Sequence, residues 1–115
     1  MKIWQFRKAF EDIENNFHYE NYKVKEIRKV KLTKELHEQA NLTLFQKQEK
    51  EARDESYKQI KKLSNDIEIG CELPAIVLVD CGDYYFIADG NHRVIALYEK
   101  NKRQYPAIII ERDEE

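Results

Sequence analysis

Ala75-Ile76-Val77-Leu78-Val79 and Tyr84-Tyr85-Phe86-Ile87-Ala88 are two apolar runs of strand length, separated only by Asp80-Cys81-Gly82-Asp83. Runs of this kind joined by a short glycine-bearing turn read as a β-hairpin. Pro74 stands just before the first run, where a strand begins. Asp89-Gly90-Asn91 breaks the second run, and Val94, Ile95, Leu97 and Tyr98 then mark a short helix. Asn101 is placed to close that helix in a left-handed conformation. Pro106 leads into Ala107-Ile108-Ile109-Ile110, which reads as a last strand.

Working back from Pro74, a long, mostly polar stretch follows Asn41-Leu42-Thr43, with Phe45, Ala52, Ile60, Leu63 and Ile67 on one side. Thr43 with Gln46 three positions on has the form of a capping box, so the sequence predicts a helix from Thr43 to about Asp66, ended by Gly70. Tyr22, Val24, Ile27, Val30 and Leu32 predict one or two short strands, with the break after Val24 marking a bulge. Ile3, Phe6, Phe10, Ile13 and Phe17 are spaced by three and four, which predicts a helix with one apolar face. Trp4, Phe6 and Phe10 on that helix pack against the sheet or meet a partner. The order helix, strand, helix, hairpin, helix, strand describes an α+β domain with a small mixed sheet. Residues 1–115 read as one domain, with 1–20 a helical addition to a core at 21–115.

Composition sets outer limits. A chain of 115 residues hides roughly 65% of its unfolded surface on folding, enough for one modest core. Three glycines and two prolines exclude a linker, a collagen-like repeat and a turn-dense sandwich. No apolar run reaches the roughly 18 residues that span a bilayer. The start of the chain has no secretory signal pattern, and Cys71 and Cys81 are too few for a disulfide framework, so free, partly buried thiols in a cytoplasmic setting are expected. His18, His37 and His92 with the two cysteines fall in no zinc-binding spacing, and no zinc is expected. Net charge is −2, but Tyr22–Lys34 carries six basic residues and one acid. Lys23, Lys25, Arg28, Lys29 and Lys31 are therefore the candidate contacts to nucleic acid, set against a solvated strand face.

Chemistry concentrates in Asp89-Gly90-Asn91-His92-Arg93. A strand ends at a glycine and a helix starts at once, so the first N–H groups of that helix are without internal partners and lie at the positive end of its dipole. Such a terminus binds anions. Gly90 allows close approach of a phosphate, Arg93 brings a fork of donors, and His92 brings a proton donor or partial charge. Asp89 caps the helix, holds magnesium through water, or orients His92. The structural alternatives are a plain Asp-Gly turn, an N-cap at Asp89, and an Arg93 paired with Glu99 or Asp83. Tyr84 or Tyr85, if exposed beside this turn, would offer a stacking surface for a base.

The hairpin, the Asp-Gly-x-His-Arg turn, its helix and the closing Tyr-Pro-Ala-Ile-Ile-Ile strand resemble the ParB/sulfiredoxin-like fold, over Leu73 to Ile110, and the helix at 43–66 has a counterpart there. The resemblance implies a nucleotide or phosphate ligand such as ATP, ADP or CTP, with magnesium, at Gly90, Asn91, His92 and Arg93. Two positions depart from the family. Sulfiredoxins carry their catalytic cysteine where this chain has Asn91, so sulfiredoxin activity is not expected. Chromosome-partition members place an arginine where this chain has Ile95, and follow with a helix-turn-helix absent here. Relatives with an Asp-Gly-x-His-Arg turn include nuclease-like proteins and a serine kinase. A phosphotransferase, NTPase or nuclease would use His92 and Asp89 as catalytic groups, with Asp80 or Asp83 as further carboxylates. The competing expectation is a non-catalytic module that binds nucleic acid or a protein.

Overall fold

The computed structural model describes residues 2–16, 20–46 and 48–113. The elements run α1 (Ile3–Asn16), β1 (Tyr22–Lys31), α2 (Lys34–Asn41), a π-helical turn (Leu42–Gln46), α3 (Lys50–Glu68), β2 (Ile76–Asp80), β3 (Tyr85–Asp89), α4 (Asn91–Glu99) and β4 (Gln104–Arg112). One four-stranded mixed sheet has the order β1-β4-β2-β3. β2 and β4 are parallel at its centre, while β1/β4 and β2/β3 are antiparallel.

The central strands explain why their sequences are unbroken apolar runs: both of their faces are covered. Ile76, Leu78, Ala107 and Ile109 point to one face, under α2, α3 and α4. Ala75, Val77, Val79, Ile108 and Ile110 point to the other, under α1. Phe6, Phe10 and Ile13 pack there as the stripe requires, around a fully buried Ala9 whose small side chain lets the helix come close. Ile3 is left 77% exposed. Phe17 and His18 lie outside the described residues.

β1 is one ten-residue strand, and its register with β4 shifts between Val24 and Glu26, where a bulge is expected from the sequence. Gly70 (φ 85°) and Asn101 (φ 59°) end α3 and α4. Each helix closes with the paired N–H contacts of a Schellman motif: Gly70 to Ile67 and Cys71 to Asp66, then Asn101 to Tyr98 and Lys102 to Leu97.

The helix expected to begin at Thr43 begins instead at Lys50. The capping residue is Thr33, whose Oγ1 accepts from the Leu36 N–H at 3.2 Å and starts α2. Thr43 sits inside the π-turn and its hydroxyl donates back to the Gln39 carbonyl at 3.0 Å, so it continues a helix rather than opening one. Ala52, placed on the apolar stripe by sequence, is exposed; Ile60, Leu63 and Ile67 do face the core.

α2 also covers the free edge of β3. The Gln39 side chain donates to the Tyr85 carbonyl at 2.9 Å and accepts from the Ile87 N–H at 2.7 Å. Its amide thus takes the place of a neighbouring strand's peptide, which blocks pairing at that edge. Among the described residues no helix is long and apolar enough to cross a membrane. Cys71 and Cys81 are free, as expected, but both are exposed rather than partly buried.

Candidate functional site

β3 carries Asp89 to the start of α4, and Gly90 makes the corner with φ 111°. Only glycine fits. A Cβ at Gly90 would lie 2.8 Å from Cγ2 and 3.2 Å from Cβ of Ile76, and 3.3 Å from Nε of Arg93. The missing side chain is thus what lets the Arg93 guanidinium lie against the first turn of α4. No side chain caps this helix, and its first intrahelical bond runs from the Val94 N–H to the Gly90 carbonyl at 2.8 Å. The N–H groups of Asn91, His92 and Arg93 precede that bond, at the positive end of the helix.

Asp89 does not cap the helix. Its Oδ2 accepts from Nη2 of Arg93 at 2.8 Å, one helical turn on, and Arg93 Nη1 is 3.4 Å from the Pro74 carbonyl. The arginine side chain is only 12% exposed, so this pair fixes its orientation instead of leaving it to sample solvent. Neither Glu99 nor Asp83 is its partner.

His92 turns the other way. Its Nε2 is 3.1 Å from Oγ of Ser56 on α3, a residue 7% exposed. Burial, and then the neighbouring Arg93 charge, lowers the His92 pKa, with Asp89 opposing. Burial thus favours the neutral form of the ring. Ser56 is the contact that sequence reading missed; a single serine on a charged helix carries no signal that its one buried turn meets α4.

The lowered value makes a pH prediction. The unfolded chain takes up a proton at His92 near the ordinary value of 6.5, before the folded protein does. Stability from this group is thus fully present above 6.5 and is lost as pH falls through the lower folded value. Urea unfolding of the wild type at stepped pH should show this loss, and His92→Gln should show a shallower one; equal slopes would place the acid sensitivity elsewhere.

Asp80 and Asp83 are not part of this site. They belong to the far end of the hairpin, about 13 Å away, four strand residues beyond the Ile76 that touches Gly90. Asp80 instead pairs with Lys25, which holds its carboxyl below the usual range, and accepts from the Gly82 N–H at 2.9 Å. Tyr84 is exposed and Tyr85 half-buried, but they too lie at that far end and not beside Gly90. Of the basic residues of β1, Lys23 meets Asp113, Lys25 meets Asp80 and Glu111, and Arg28 meets Glu26 and the Tyr85 hydroxyl. The charge of these three is thus matched within the fold, while Lys29 and Lys31 are exposed on the same strand. Among the described residues no group of three or more His, Cys, Asp or Glu is arranged to hold a metal ion.

No family model matches this chain, and neither does any curated protein or solved structure.

Proposed function

We propose that the protein is a nucleotide- or phosphate-binding domain of the ParB/sulfiredoxin-like kind, with its anion site at the start of α4. One observation carries this reading: an uncapped helix N-terminus follows directly on a strand through a left-handed Gly90, with the Arg93 guanidinium oriented against the same turn by Asp89. Backbone N–H groups at the positive end of the helix favour a phosphate there, and such a ligand would compete for Arg93 donors that now meet the Asp89 carboxylate and the Pro74 carbonyl. The order of elements from Leu73 to Ile110 supports the family resemblance.

Magnesium has one carboxylate to use at this place, Asp89, and one of its oxygens is already taken by Arg93. A metal would then be held chiefly by the nucleotide's own phosphates, the usual habit of Mg2+. The reading favours binding over group transfer, because the Nε2 atom of His92 is engaged with the buried Ser56 hydroxyl. The exposed free cysteines agree with a cytoplasmic setting.

The test is a thermal-shift panel of ATP, ADP, CTP and GTP, each with and without magnesium. A ligand at 100 times its Kd adds about 2.7 kcal/mol, a rise of roughly 10 °C for a domain near this size. The expected result is a rise with at least one nucleotide that disappears in Arg93→Ala, with circular dichroism showing the variant still folded. No rise with any of them, or a rise unchanged in the variant, would overturn the assignment.

A further inference from the structure

A cavity of about 800 Å³ opens between α2 with its π-turn on one side and α3 on the other, with α4 beneath. Its volume is in the range of sites that take small organic molecules. Ile60 and the buried Ile95 form an apolar floor. Phe45 of the π-turn and Tyr57 of α3 form one aromatic wall, their ring centroids 4.4 Å apart, and Tyr57 is 62% exposed there. Short π-helical segments are rare and recur at functional sites; this one supplies the aromatic wall. The cavity meets α4 at Ile95 and Glu99, away from the Asp89–Arg93 turn, and is independent of the anion site.

Charge decides the kind of ligand. Glu38 and Glu99 stand at the rim, and among the described lining residues there is no lysine or arginine. Among the described residues each carboxylate has one basic neighbour, Lys34 for Glu38 and His37 for Glu99, both at 3.8 Å. That is beyond hydrogen-bond length, so both keep free acceptor oxygens. Aromatic faces beside two carboxylates attract a cation and repel an anion.

We propose that this cavity binds a small primary amine with an apolar body, its ammonium between the Glu38 and Glu99 carboxylates and its body against Phe45, Tyr57 and the Ile60–Ile95 floor. The test uses two probes of the same body and opposite charge, 3-phenylpropylamine and 3-phenylpropionate, titrated into the ¹⁵N-labelled protein. The amine should shift the amide signals of Phe45, Tyr57, Ile60 and Ile95 and bind about fivefold tighter than the acid, the scale of rim charges and an exposed aromatic face. Glu38→Gln with Glu99→Gln changes two exposed side chains, and should bring the two affinities together. Tyr57→Ala should weaken the amine by about fivefold. Equal binding of the two probes, no shift at these residues, or a preference that survives the double substitution would overturn the proposal. The same spectra show whether each variant is folded.

Discussion

Gly90→Ala is expected to lower the stability of the protein by about 3–4 kcal/mol. Two costs add. An alanine at φ 111° takes on the steric penalty of the left-handed region, about 1–2 kcal/mol. Its methyl group would also stand 2.8 Å from Cγ2 of Ile76, a side chain with no exposure at all in the middle of the larger core. Forcing a methyl into such a place costs about 1–3 kcal/mol, because neighbours in a filled core have no open space to move into. The thermal midpoint should fall by roughly 12–16 °C. Gly82→Ala provides the comparison: its φ is 90°, but a Cβ there meets nothing within 4 Å. That variant should show the backbone cost alone, about 1 kcal/mol. If the two alanine variants lose the same amount, Ile76 gives way freely and the close approach at the β3–α4 corner is not a constraint.

The same corner shows what the sequence does and does not disclose. The place of Gly90 was legible, because a strand of Tyr-Phe-Ile type that stops at Asp-Gly and resumes as Val-Ile-Ala-Leu has few other readings. β2 and β4 were legible for a related reason: burial on both faces leaves no polar alternation to confuse the pattern. The bulge in β1 and the two left-handed helix ends follow from single residues whose backbone preference is strong. What was lost depends on partners far apart in the chain. α2 offers only Leu36 and Ala40 as buried residues, and Thr33 is followed at its third position by Leu36 rather than by the Glu or Gln of a capping box, so no local signal announced it. The Gln39 amide on the edge of β3 is a contact across 46 and 48 positions. In the candidate site, Asp89 had three open roles and the structure supplies a fourth, the orientation of Arg93. Ser56 meets His92 across 36 positions, and nothing in either local sequence points to the other.

The second large effect is expected within β4, from two neighbouring isoleucines. Ile108 and Ile109 are both wholly buried, on the same central strand, with the same side chain. They differ in the face they serve. Among the described residues, Ile109 belongs to a cluster of sixteen buried residues closed by α2, α3 and α4, whereas Ile108 belongs to a cluster of six under α1. The cost of a large-to-small change depends on how far the surroundings collapse into the space left behind. Around Ile109 they are tied down: α2 is fixed to β3 through Gln39, and α3 to α4 through Ser56 and His92. Around Ile108 the cover is a single helix whose buried polar anchor is Gln5, which donates to the Leu73 carbonyl at 2.6 Å and the Tyr105 hydroxyl at 3.1 Å. α1 can settle towards the sheet by rotating about that anchor; the three-helix layer has no equivalent freedom. Ile109→Ala should therefore cost about 4 kcal/mol, near the top of the usual range, and Ile108→Ala about 2.5 kcal/mol. Urea midpoints at unchanged m would measure the difference directly. A lower m for Ile108→Ala alone would mean that α1 has left the sheet before unfolding begins, and equal losses in the two variants would make α1 as rigid a part of the core as the helices on the other face.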